Sequence, residues 1–201
     1  VEDLHTLLAA LDIEVPALCG LSMGGCIVQA YAATYPEAVA GVVLADTFSP
    51  ERTDWRERLQ FLLLRATVPP VKLIGYERVE RVLVWLQERI QPGAGGDYEQ
   101  ITKLREAAPK MTTAEFEKVV GALTRFHTAE FDVRSISAPT LVLYGEQDAG
   151  FIRRQSALLA DRIPDAELVE VPRAGHAANL DNPEFVTERI RAFLTERARW
   201  T

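Results

Sequence analysis

At 201 residues, 48% hydrophobic and 25% charged, the chain has the composition of a globular protein large enough to bury a core. Its net charge of -7 argues against a nucleic-acid footprint, which would be basic, and no apolar run approaches the roughly 18 residues that span a bilayer. Two cysteines, Cys19 and Cys26, are too few for a disulfide framework and read as small buried residues; no Cys/His cluster has metal-ligand spacing, so neither metal nor cofactor is expected.

The first element is helical: Leu4, Leu7, Leu8 and Leu11 recur at helix spacing over residues 2–12. The chain opens inside this pattern with no initiator Met, which creates the expectation that its natural beginning lies upstream. Val15 to Cys19 is a short apolar run bounded by Pro16 and Gly20 and reads as a buried strand. A helix follows from about Met23 to Tyr35, stopped at Pro36, and "VAGVVLAD" (39–46) reads as a parallel strand covered on both faces. Residues 50–134 change character. "ERTDWRERLQFLLLRA", "GYERVERVLVWLQERI", "DYEQITKLREAA" and "TTAEFEKVVGALTRFH" are four helical patterns, broken by "VPPV", "QPGAGG" and Pro109. Strand and helix then alternate again: "APTLVLYG" (138–145), a helix over 151–162, "AELVEVP" (166–172), and a last helix from Pro183 with Asn182 as its N-cap. The pattern predicts an α/β fold in three parts, 1–49 and 135–201 forming the parallel sheet and 50–134 a helical cap inserted between strands.

The chemistry centres on "CGLSMGG". Gly20-Leu21-Ser22-Met23-Gly24 is a Gly-x-Ser-x-Gly turn with a strand predicted before it and a helix after it, the context a nucleophile elbow requires. Gly20 and Gly24, two residues to either side of Ser22, suit a turn too tight for side chains. A serine hydroxyl needs a base within hydrogen-bond reach, and the base needs an orienting group. Of three histidines, His5 falls on the first helix and His127 late in the helical insertion, while His176 lies in a loop after the last strand, at the carboxyl edge where open α/β sheets place ligands. Asp148 follows a strand into a turn at that same edge. Asp46, ending "VVLAD", is a rival acid, and either carboxylate could simply cap the next helix.

The segments "GLSMGG", "APTLVLYGEQD" and "VPRAGHAANLDNPEFVTERIRAFL" resemble the α/β-hydrolase superfamily, and within it the branch of 3-oxoadipate enol-lactonases, cofactor-free haloperoxidase/esterases and related carbon–carbon bond hydrolases. The resemblance implies Ser22 as nucleophile, His176 as general base and then acid, Asp148 as the orienting carboxylate, and the Met23 N–H as an oxyanion-hole donor. It implies a serine hydrolase of a small carboxylic ester or lactone, with carbon–carbon bond hydrolysis or perhydrolysis as alternatives on the same triad, and a non-catalytic binding module as a remoter one. It further implies a second oxyanion donor on a loop upstream of the elbow. The first half of the family's sheet is therefore expected to be absent, and the 201 residues alone to turn over poorly. No nucleic-acid or membrane partner is expected, the location is read as cytoplasmic, and a homo-oligomer is left open. Trp55, Phe61, Trp85 and Phe126 are candidates for pocket lining or for packing within the insertion.

Overall fold

The computed structural model of the chain describes residues 1–51, 54–96 and 111–198. Its centre is a four-stranded parallel sheet of β1 (Ala17–Leu21), β2 (Gly41–Ala45), β3 (Thr140–Gly145) and β4 (Ala166–Val171), arranged in that spatial order. Helix α1 (Glu2–Ala10) precedes the sheet, and α2 (Met23–Thr34) connects β1 to β2. Between β2 and β3 the described residues form α3 (Trp55–Ala66), α4 (Val68–Ile74), α5 (Tyr76–Ile90) and α6 (Thr113–Arg125). Helix α7 (Gly150–Arg162) links β3 to β4, and α8 (Ala178–Asp181) and α9 (Pro183–Glu196) follow β4.

Strands β2 and β3 are almost continuously apolar because both faces of the sheet are covered. Val42, Leu44 and Val142 pack on one face against Val28, Tyr31 and Ala32 of α2 and Leu159 of α7. Val43, Ala45, Leu141 and Leu143 turn to the other face and meet Val186 and Phe193 of α9. Helices α2 and α7 share a face, as right-handed crossovers advancing in one direction along a sheet require.

Several boundaries differ from the sequence reading. β1 runs over 17–21 rather than 15–19, since its ladder with Gly41–Ala45 carries Gly20 and Leu21 up to the turn at Ser22. "VPPV" does not break the insertion but opens α4, with prolines in the first turn where no intrahelical N–H partner is lost. Only one flank of α1 meets the core: Leu8 is buried and Leu4 packs beside it, while Leu7 and Leu11 are exposed. Cys26 is buried as expected, whereas Cys19 is exposed on β1, which among the described residues pairs with β2 alone. The helical pattern over 97–108 and Pro109 lie outside the described residues.

Helix ends follow their local chemistry. Asn182 caps α9 by accepting the Phe185 N–H at 3.4 Å, and Thr112 with Glu115 forms a reciprocal capping box at the start of α6. None of the helices among the described residues is long and apolar enough to cross a membrane.

Leu44 sits fully buried where β2 meets α2 and α7. Leu44→Ala is expected to lower unfolding free energy by about 2–5 kcal/mol, measured by urea denaturation; a loss below about 1 kcal/mol would show that this face of the sheet is not the close-packed centre of the fold.

Candidate active site

A parallel sheet aligns the carboxyl ends of its strands along one edge, and here each of four neighbouring strand ends delivers one polar side chain. Ser22 follows β1, Asp46 follows β2, Asp148 follows β3 and His176 follows β4.

At Ser22 the chain passes from strand to helix in a single residue. Ser22 has φ 51° and ψ -115°, a left-handed conformation that a non-glycine residue adopts at a cost of about 1–3 kcal/mol. The turn is held from both sides of the peptide unit. The Ser22 N–H donates to Ala45 O at 2.9 Å, and the Ser22 carbonyl accepts from the Thr47 hydroxyl at 2.7 Å and from the Gly25 N–H at 3.0 Å. Gly20 is needed because α2 passes directly over β1: a Cβ there would lie 2.4 Å from Gly24 O and 2.5 Å from Gly25 N. Met23 is the first residue of α2, so its N–H is among those an α-helix leaves without an intrahelical acceptor, and it stands next to Ser22 in the chain.

The structure brings Ser22, His176 and Asp148 together in one chain of hydrogen bonds. His176 Nε2 lies 3.0 Å from Ser22 Oγ, and its Nδ1 lies 3.1 Å from Asp148 Oδ2 and 3.3 Å from Oδ1. Asp148 is fully buried and also accepts the Ala149 N–H at 2.6 Å, a local bond that fixes the carboxylate plane without capping α7. Asp46 is placed differently from an acid partner of the histidine: its two oxygens accept the N–H groups of Gly145 and Ala178. His5 instead stacks on Tyr35 beside Tyr31, and His127 is exposed with its Nδ1 beside Thr124 O.

Two carboxylates around one imidazole set the electrostatics. Burial pulls the His176 pKa down, but the Asp148 hydrogen bond, the Asp148 charge and the Asp46 charge outweigh it, and the imidazole is held above 6.5. Burial pushes the Asp46 carboxyl up to about 7; the Asp148 charge adds to the rise, against the opposing His176 charge and two backbone hydrogen bonds.

The helical insertion reaches this site through one backbone carbonyl and one side chain. The His176 N–H donates to Ala94 O at 3.0 Å, and Gln91 Nε2 donates to Asp148 O at 3.2 Å. The approach is close enough that a Cβ on Gly175 would lie 2.3 Å from Gly93 O. These contacts escaped the sequence reading, as did Thr47, since a carbonyl acceptor and a long-range amide leave no local pattern. The aromatics divide. Phe61 and Phe126 pack with Phe48 and Phe151 around Cys26, beneath the insertion, while Trp55 and Trp85 are 67% and 57% exposed and line nothing in the core. Two open surface depressions of about 370 Å³ each, one around Arg173 and Asp181 and one around Glu51 and His127, include none of the four strand-end residues.

A family model described as alpha/beta hydrolase fold matches residues 1–183. The chain is 29% identical over 199 residues to 3-oxoadipate enol-lactonase 2 of Acinetobacter baylyi, covering 96% of this chain and 68% of that protein. It is 24% identical over 180 residues to pimeloyl-[acyl-carrier protein] methyl ester esterase of Nitrosospira multiformis, covering 87% of this chain and 66% of that protein. The chain thus spans about two thirds of the length of these curated relatives. Among solved structures, MenH from S. aureus superposes with a TM-score of 0.74 at 22% identity, over 96% of this chain and 73% of that one, a likeness of fold.

Titration of the His176 imidazole by NMR is expected to give a midpoint above 6.5. Asp148→Asn should lower that midpoint, because it removes the charge and weakens the hydrogen bond that favour the imidazolium. A midpoint at or below 6.5 in the unaltered protein would contradict this electrostatic account.

Proposed function

The chain belongs to the α/β-hydrolase fold family, and from that premise we propose that it is a serine hydrolase that cleaves a small carboxylic ester or lactone through an acyl-enzyme on Ser22. The observation that carries the reading is the continuous Ser22–His176–Asp148 hydrogen-bond chain, with 3.0 Å at its first link and 3.1 Å at its second. The chain order Ser, Asp, His and the strained strand-to-helix turn at the serine support it. So do the esterase and enol-lactonase among the relatives.

In the proposed reaction His176 Nε2 accepts the Ser22 hydroxyl proton as Oγ attacks the substrate carbonyl carbon. Nδ1–H donates to Asp148 throughout, so the proton acquired at Nε2 leaves an imidazolium paired with a buried carboxylate. The carbonyl oxygen becomes an oxyanion beside the Met23 N–H, at the positive end of the twelve-residue α2 dipole. Collapse of the tetrahedral adduct breaks the bond to the alkoxide oxygen, which takes the proton from Nε2. In a lactone that alcohol stays tethered to the acyl group. Water then gives a proton to Nε2 and its oxygen to the acyl carbon, and the second collapse releases the carboxylic acid and returns the proton to Ser22. A histidine held above its ordinary pKa is matched to this work near neutral pH, where it is basic enough to take the proton and acidic enough to return it.

Ser22→Ala is expected to lower hydrolysis of a short-chain p-nitrophenyl ester by about 10⁴-fold or more and to abolish labelling by a fluorophosphonate, with the folded-state circular dichroism unchanged. Retention of ester hydrolysis by the alanine variant would overturn the proposal.

A further inference from the structure

Asp46 has the features of a site residue and no part in the reaction described above. It is fully buried, it takes a left-handed backbone conformation at φ 47°, and it stands at the end of β2, between the strands that supply Ser22 and Asp148. Its carboxylate is bound at both oxygens, and the two donors, the last residue of β3 and the first of α8, border the two loops that carry Asp148 and His176. Oδ1 accepts the N–H of Gly145, three residues before Asp148, at 2.9 Å; Oδ2 accepts the N–H of Ala178, two residues after His176, at 3.2 Å. Those loops are otherwise tied to each other on their far side, by Gln147 N–H to Ala174 O at 2.8 Å and Glu146 N–H to Val171 O at 3.0 Å. Asp46 is thus the cross-member that fixes both of them to the neighbouring strand, while its own N–H continues the ladder to Leu143 O at 2.9 Å.

The choice of residue is chemically specific. Two acceptor oxygens are needed, one for each N–H, and an asparagine offers one oxygen and turns an NH₂ against the second donor. A strand end carrying a serine or alanine would leave at least one of two buried N–H groups unpaired. The left-handed backbone position also favours Asp or Asn among non-glycine residues.

Resting on the triad reading above, we propose that Asp46 is a positioning residue: its carboxylate fixes the acid turn and the histidine loop at one separation and so holds His176 in register between Asp148 and Ser22. Its negative charge has a second consequence. The titratable groups that face it are Asp148 and His176, and its charge raises the imidazole's affinity for a proton. Removing Asp46 therefore alters both the placement and the basicity of His176. A residue that only filled space would alter neither selectively.

The test compares Asp46→Asn with the unaltered protein in kcat and KM for a short p-nitrophenyl ester, from about pH 5 to about pH 9. The expected result is a kcat lower by about 10–100-fold, the loss associated with displacement on the order of 1 Å in a catalytic group. KM should change by less than about threefold. The acid limb should move to lower pH, because the variant's histidine loses a neighbouring negative charge and deprotonates earlier. An unshifted acid limb, or a kcat within about twofold of the unaltered protein, overturns the proposal. Should the variant fail to fold, the unaltered protein carries the test: the His176 NMR titration is expected to show a second inflection shared with the Asp46 carboxyl resonance, and independent single-site curves for the two overturn it. Ser22→Ala separates the two readings. If that variant keeps its turnover, the triad is wrong; if it is inactive while Asp46→Asn matches the unaltered protein, only the role of Asp46 is wrong.

Discussion

The structure is organised by how closely α2 crosses the end of β1. With a Cβ at Gly20 excluded by the backbone of Gly24 and Gly25, the chain reverses from strand to helix within one residue, and that residue is Ser22. A turn this tight is not stable in isolation, since its left-handed serine stores strain of about 1–3 kcal/mol. β2 supplies the restraint: Ala45 O accepts the Ser22 N–H, and Thr47 donates to the Ser22 carbonyl from the other side. The serine is thereby fixed on the carboxyl edge of the sheet with its hydroxyl exposed to whatever the next strand ends present, and with the first N–H of α2 beside it.

What those strand ends present follows from parallel pairing. Because β1, β2, β3 and β4 lie side by side in chain order, the residues that follow them form a row of serine, aspartate, aspartate and histidine. The two loops that carry Asp148 and His176 are longer than the elbow, and their geometry is set by backbone hydrogen bonds between them, by Asp46 on the sheet side and by Gln91 and Ala94 of the helical insertion on the other. The insertion is thus tied to the proposed catalytic machinery as well as placed above it. Displacement of the Gln91–Gly96 turn would be felt at the histidine N–H directly.

Much of this was legible in the sequence, for identifiable reasons. The turn at Ser22 announces itself because Gly20 is sterically required two residues before it and the flanking apolar periodicity switches at the same point; a Cβ at Gly24 would meet open space, so the second tight position is Gly25, pressed against Thr47, and not Gly24 as the motif suggests. Asp148 could be placed because it follows the apolar run of a buried strand, and His176 because it follows a shorter alternating run, "AELVEV", whose strand the structure leaves half-exposed. Other features leave no such trace. β1 extends past Gly20 because of its partner's register, which no local pattern carries. "VPPV" reads as a break when proline is taken as a helix breaker, yet in a first turn it begins α4. Cys19 looks like a core residue by type, yet among the described residues its strand has β2 as its one neighbour and the thiol is exposed. The double role of the Asp46 oxygens depends on two N–H groups 99 and 132 residues distant in the chain, so Asp46 reads from sequence as a rival acid or a cap, and from structure as a bridge.

The central claim is that Ser22 Oγ forms a covalent acyl intermediate. Intact-mass and peptide mass spectrometry of protein quenched during turnover of a slowly deacylated ester tests it most directly. The account predicts an added acyl mass on the peptide that contains Ser22, lost on longer incubation and lacking in Ser22→Ala. Turnover of the ester with no adduct at any time, or with the acyl group carried by another residue such as the exposed Cys19, would contradict it.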